Sequence, residues 1–150
     1  MITRLLKPGD EVIAGDDLYG GTNRLLTYLK SHGGVKVHHV DTTDPASVIP
    51  RIKMGKTAMV LLESPTNPLL KIADLAKISA DVKERAPDAI VVVDNTMMSP
   101  YLQRPLEHGA DIVYDSATKY LSGHHDLMAG VITCNRDDVA KVSSFEMLCA

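Results

Sequence analysis

The sequence predicts an α/β protein, a mostly parallel sheet covered by helices on both sides. Three observations lead there. Short apolar runs alternate with longer amphipathic segments along the chain. One run, AIVVVD from Ala89 to Asp94, shows no polar alternation, so both its faces are expected to be buried. Polar and charged residues collect just after the runs, where parallel strands end and binding sites form.

Each element follows from local chemistry. EVIAG, Glu11 to Gly15, is a short strand. Thr22 can cap a helix through Leu25, Leu26 and Leu29, which Gly33-Gly34 stops. VKVHHV, Val35 to Val40, is β-branched and strand-like. Asp44-Pro45 opens a short helix, with Asp44 as N-cap and Pro45 in its first position. TAMVLLES, Thr57 to Ser64, is an apolar strand. PTNP, Pro65 to Pro68, is a turn, because Pro68 keeps Asn67 out of the helical region. Ile72, Leu75, Ala76, Ile78, Ser79 and Val82 mark one face of a helix ending near Pro87. After AIVVVD, NTMMSPYLQRP reads as a loop. IVYDS and AGVITC are two further strands, and a last helix is expected from near Arg136. Both ends look abrupt, which suggests a piece of something larger.

Bulk properties narrow the function. The chain has 150 residues, 45% apolar and 23% charged, the profile of a globular domain. Its net charge is −3 and it has no long basic run, so nucleic acid is not an expected partner. No apolar run approaches the roughly 20 residues of a membrane span. MITRLLKPGDEV is not built like a secretory signal. Cys134 and Cys149 form no CxxC, so neither a disulfide framework nor a structural zinc is expected, and a reducing, cytoplasmic setting fits. With no Trp, one Phe and five Tyr, the core must be aliphatic.

The informative residues stand at the strand ends. Asp94 closes an apolar run, where an unpaired carboxylate is costly to bury. It is either an N-cap for the next segment or a carboxylate aimed at a protonated ring nitrogen. Lys119 follows the strand IVYDS beside Ser116 and Thr118. Two hydroxyls at alternate positions can both reach a phosphate, and partial desolvation would make the lysine amine nucleophilic. Otherwise Lys119 is a surface lysine. Carboxylate, hydroxyl pair and lysine together are what pyridoxal phosphate requires. Tyr19, next to Gly20-Gly21, is either a turn aromatic or a ring that stacks on a planar cofactor. Asn67 is either a turn residue or a partner for the ring hydroxyl. Other motifs fail. G-x-G-x-x-G is absent, and Gly55-Lys56-Thr57 lacks the glycine a phosphate loop needs where Pro50 stands. His38-His39 lies in a strand, where neighbours point oppositely. His124-His125-Asp126 is explained by polar loop composition, so no metal is expected.

The strings GDDLYGGTNR, ESPTNP, VVVDNTMMSPYLQRPLEHGAD and SATKYLSGHHDLMAG strongly resemble the Cys/Met-metabolism pyridoxal-phosphate enzymes. That family includes cystathionine β-lyase, cystathionine γ-lyase, cystathionine γ-synthase and methionine γ-lyase. The resemblance runs from about Leu6 to about Val142. It implies the large cofactor-binding domain of an aspartate-aminotransferase-like fold, with residues 1–150 as its partial, central portion. By the resemblance, Lys119 matches the lysine that bonds the cofactor aldehyde. Asp94 matches the aspartate at the pyridine nitrogen, and Ser116 and Thr118 match the phosphate-binding hydroxyls. Tyr19 matches the tyrosine that stacks on the ring and assists proton transfer. Asn67 matches the asparagine at the ring 3-oxygen, and Thr96 shares the Asp94 motif.

Within the family, Gly21 stands where methionine γ-lyases usually carry cysteine. GDDLYGGTNRLL, ESPTNP and DNTMMSP look most like eukaryotic cystathionine β-lyases, with γ-lyases close behind. The implied reaction is α,β-elimination of cystathionine to homocysteine, pyruvate and ammonia, with Lys119 as the base. The alternatives are γ-lyase and γ-synthase chemistry. The resemblance also implies homotetrameric full-length relatives. Compared with them, the sequence lacks the N-terminal segment and glycine-rich loop that reach the phosphate. It also lacks the C-terminal domain with its substrate-binding arginine, and it ends SSFEMLCA where relatives continue with a segment like FLQNS. A truncated chain without turnover of its own, or one that associates with full-length subunits, is therefore the competing expectation. A nucleotide-binding domain is a third, for which the glycine fingerprint is missing.

Overall fold

The computed structural model describes residues 1–124 and 126–137. The helix expected from near Arg136 falls mainly on residues 138–150, outside the described residues, as do His125 and Cys149.

Six strands form one sheet: β1 (Glu11–Gly15), β2 (Lys36–Val40), β3 (Thr57–Glu63), β4 (Ile90–Asp94), β5 (Ile112–Ser116) and β6 (Gly130–Cys134). Their order is β2-β1-β3-β4-β5-β6. The first five are mutually parallel, and β6 runs antiparallel to β5. The helices are α1 (Ile2–Leu5), α2 (Gly20–His32), α3 (Pro45–Val48), α4 (Leu75–Arg85) and α5 (Ser99–Leu102). Two 3₁₀ turns, Ile49–Arg51 and Pro105–His108, complete them. The mostly parallel α/β sheet is as expected. Among the described residues, no helix is long and apolar enough to cross a membrane.

Strand alternation divides the core in two. Ile13, Val60, Leu62, Val91, Val93 and Val113 face α4 and its neighbours. Val12, Ala14, Met59, Leu61, Val92 and Ile112 face Leu26 and Leu29 of α2. Each of these valines, leucines, isoleucines and the methionine, once fully buried, contributes about 1.5–3 kcal/mol. The strand ends are thus held by the best-packed part of the molecule.

Local differences from expectation have local causes. Helix α2 starts at Gly20, with Tyr19 rather than Thr22 at its N-cap position and no side-chain cap. Tyr19 N–H is instead taken by the Glu63 carboxylate of β3, at 2.8 Å. Helix α4 starts only at Leu75, because Asp74 accepts from Lys77 N–H at 2.9 Å and caps it there. Ile72 therefore lies outside the helix, 62% exposed, and Ala76 is on its outer side. The segment after β4 is not all loop, since it holds α5 and the second 3₁₀ turn. The other expected stops and caps are present: Gly33 ends α2, and Asp44 accepts from Ala46 N–H with Pro45 following.

Candidate active site

Strand order turns back on itself between β1 and β3, which lie side by side while their connections leave in opposite directions. Such a switch point opens a crevice at the carboxyl ends of the strands. A cavity of about 730 Å³ lies at this edge. It is lined by Tyr19, Asn67, Asp94, Thr96, Ser116, Thr118 and Lys119, so every residue singled out in the sequence reaches one place.

Register explains part of this. Glu63 pairs with Asp94 across β3 and β4, and Asp94 with Tyr114 across β4 and β5. By alternation these three side chains lie in a row on the α2 face. Asp94 is 8% exposed, and its Oδ1 accepts from Thr96 N–H at 3.0 Å. Among the described residues no cationic side chain pairs with it. Beside it, burial pushes the Tyr114 phenol far up, and the Asp94 charge adds to that. Burial pushes the Glu63 carboxyl up to about 7, opposed by the N–H groups of Tyr19 and Asn67 and aided by Asp94 and Asp17. Asp115, buried with one oxygen unpartnered, is also raised by burial and by Asp94.

Thr96 is a tie between the strands as much as a lining residue. Its N–H serves Asp94, and its Oγ1 accepts from Ser116 N–H at 2.9 Å. Below it, Asn95 donates to Gln103 O at 3.0 Å, and Gln103 Nε2 donates to Ser64 O at 2.8 Å. This brace joins the loops after β3 and β4. Ser116 leaves its hydroxyl without a partner among the described residues. The Thr118 hydroxyl accepts from Ala129 N–H at 3.1 Å, so the turn after β5 is pinned to the start of β6. A phosphate held by Ser116 and Thr118 would share Thr118 with that backbone contact.

Lys119 differs from expectation. It lines the cavity but is exposed, not half-buried. Tyr120, Leu121 and Met128, near it in the chain or the cavity lining, are themselves 66%, 47% and 95% exposed, so these three do not bury it. Tyr19 leans over Gly21: a Cβ built there would stand 2.8 Å from the tyrosine ring. Gly21 thus leaves the space the ring occupies. Asn67 is exposed in the turn, with cis bonds before Pro65 and Pro68. The histidines do not converge: His38 Nε2 meets Glu11 at 3.0 Å, and His39 Nδ1 meets Gly15 O at 3.0 Å.

Sequence reasoning missed Glu63, which also lines the cavity, although the signal was available. Glu63 closes an apolar run as Asp94 does. Tyr114, hidden inside a strand, gave no such signal.

The residues present fit pyridoxal phosphate. A buried carboxylate without a cation suits a protonated ring nitrogen, an unpartnered hydroxyl suits a phosphate oxygen, and an accessible lysine suits an aldehyde.

Comparison with known proteins agrees. The sequence matches the family described as Cys/Met metabolism PLP-dependent enzyme over residues 1–148. It is 68% identical to a cystathionine beta-lyase of Neurospora crassa over 90% of this chain and 29% of that protein. It is 50% identical to a cystathionine beta-lyase of Schizosaccharomyces pombe, over 98% of this chain and 37% of that one. With mouse cystathionine gamma-lyase the identity is 46%, over 92% and 34%. Among solved structures, cystathionine gamma-lyase from Lactobacillus plantarum, complexed with L-serine, superposes with a TM-score of 0.89 at 39% identity, covering 96% of this chain and 37% of that one. A methionine gamma lyase from Micromonospora echinospora gives 0.89 at 38%, covering 99% and 40%. The chain thus spans about a third of the length of these relatives. With its parallel sheet, its switch-point cavity and a family match along nearly its whole length, the chain belongs to the Cys/Met metabolism PLP-dependent enzymes.

Proposed function

We propose that this chain carries the cofactor-holding part, within the large domain, of a carbon–sulfur lyase of trans-sulfuration that cleaves cystathionine by α,β-elimination. The observation that carries the reading is the convergence on one cavity of Lys119, Ser116 and Asp94, which has no cationic partner among the described residues. The β-elimination is favoured by 68% identity to a named beta-lyase, against 46% to a named gamma-lyase.

In this reading Asp94 would hold a protonated ring nitrogen, Ser116 and Thr118 would hold the phosphate, and Tyr19 and Asn67 would hold the ring. Thr96 fixes Asp94 relative to Ser116. Pyridoxal phosphate, when bound, supplies an electron sink for the charge left on the substrate α-carbon. Lys119 Nζ would be the base that accepts the α-proton. The β-carbon–sulfur bond then breaks, and the sulfur leaves with a proton as homocysteine. Water releases pyruvate and ammonia, so cystathionine plus water is fully accounted for. The cysteine usage supports a reducing compartment, such as the cytoplasm, as its setting. A gamma-lyase would use the same residues to give cysteine and 2-oxobutyrate.

The test is borohydride reduction after adding pyridoxal phosphate, followed by peptide mass spectrometry. A phosphopyridoxyl group on Lys119 alone is expected; scattered or absent labelling would overturn the reading. Pyruvate released from cystathionine would assign the β-elimination, and 2-oxobutyrate the γ.

A further inference from the structure

Two residues argued to meet the same ring, Tyr19 and Asn67, come from different loops. Tyr19 follows β1 and Asn67 follows β3. Something must hold the loops at a fixed spacing, and both residues are exposed, so packing alone does not. The Glu63 carboxylate spans the gap. Oε2 accepts from Tyr19 N–H at 2.8 Å and Oε1 from Asn67 N–H at 3.1 Å. The side chain is 4% exposed and stands at the end of β3, between the loops. Asp17 makes a parallel link through Thr66 and through Leu69 N–H, at 3.2 Å, but neither partner lines the cavity.

We propose that Glu63 is a positioning residue: its two carboxylate oxygens tie the Tyr19 and Asn67 loops together so that both side chains meet one bound ring. The ring-facing part rests on the reading of the site given above. The geometry favours an ionised carboxylate, whose two oxygens are both strong acceptors. A neutral acid turns one oxygen into an O–H, a much weaker acceptor, and so loosens one of the two amides. The groups facing Glu63 are Asp94 from β4, Asp17 from the loop after β1 and Tyr114 from β5. Among the described residues none is cationic, so burial, aided by Asp94 and Asp17, moves its proton uptake to near neutral pH rather than the ordinary carboxylate range. A cation bound at Asp94 would favour the two-amide form, so a bound ring and the loop spacing would support each other.

The experiment is amide exchange by NMR on the ¹⁵N-labelled 150-residue chain without cofactor, corrected for intrinsic pH dependence. In the native chain, protection of Tyr19 or Asn67 N–H is expected to fall about tenfold as pH drops from 8 to 6. Glu63→Gln, with one acceptor oxygen, is expected to show the lower protection at both pH values, with other α2 and β3 amides unchanged. Pyridoxal phosphate affinity at pH 8 is expected to fall about tenfold in Glu63→Gln, more than in a Glu84→Gln surface control. Native protection of both amides in Glu63→Gln, or a flat native profile, would overturn the tie. Released amides with unchanged cofactor affinity would overturn its role toward the ring. If Glu63→Gln does not fold, the native pH profile decides alone. Failure of all cofactor binding would instead count against the functional reading, leaving the amide result to stand separately.

Discussion

The two edges of the sheet treat buried carboxylates in opposite ways. At the amino edge Glu11 is 3% exposed and meets His38 at 3.0 Å and Lys53 at 3.2 Å. Asp111, entering β5, meets Lys83 at 2.7 Å and accepts from Val91 N–H at 2.7 Å. At the carboxyl edge Glu63, Asp94 and Asp115 are as deeply buried, yet none has a cationic partner among the described residues. Burial works to raise Glu11, but the lysine and histidine outweigh it and hold the group low. Burial raises Glu63 to about 7 with no cation to oppose it. An edge that completes its own charges serves folding. An edge that leaves them incomplete is disposed to bind something positive.

The comparison breaks most sharply at Asp94. Asp94→Asn should lower any lyase turnover on the order of 10²–10³-fold, because a developing charge loses its fixed partner. Its urea midpoint should stay the same or rise, since an unpaired buried charge is removed. A midpoint that falls would place Asp94 with the structural acids. Removing a cation from the other edge should do the reverse. Among the described residues, Lys83→Met leaves Asp111 only Arg136 as a cation, at 3.8 Å, and a stability loss of about 2–3 kcal/mol is expected, below the usual 3–5 for a buried pair because the lysine is partly exposed and a second cation remains. Cofactor trapping at Lys119, measured by mass spectrometry under native conditions, should persist.

The pH dependence of stability separates the edges next. Glu63 binds a proton in the folded chain up to about pH 7, and unfolded it lets go near 4.5. The folded state therefore holds more protons between these values, and stability should fall as pH rises through that window, then level off. Asp115, also raised, acts in the same direction. Glu11, held low, contributes in the opposite sense, its stabilisation being lost as pH falls below its unfolded value of 4.5. Urea midpoints of the cofactor-free chain from about pH 3 to 8 should show both slopes. Glu63→Gln should flatten the upper one and Glu11→Gln the lower. The smallest effect belongs to Gly21→Ala. The added methyl meets the Tyr19 ring, which swings aside, so cofactor affinity should weaken only a few-fold while the unfolding midpoint barely moves. A large loss of stability would mean the ring cannot move.

Much of this was legible in the residues. Apolar runs fixed where strands lie, because an aliphatic run between turn-formers can be buried only in an element. Lys119, Ser116, Thr118 and Asp94 announced themselves by standing where such runs end. Tyr19 beside Gly20-Gly21 and Asn67 between prolines were marked by backbone chemistry. What no local pattern contained was adjacency. Glu63 ends its run just as Asp94 does. Its two amide partners lie 44 and 4 residues away, brought together only by the placement of β1 beside β3. The start of α2 was misjudged for the same reason, its first donor being served by a distant strand. The exposure of Lys119 depends on how the turn after β5 meets β6. Whether a buried acid is paired was likewise undecided, since charges interact through space and sheet order sets the distances. The sequence determined which groups reach the strand ends; the tertiary structure decided which of them face one another, and which acids were left without a cation.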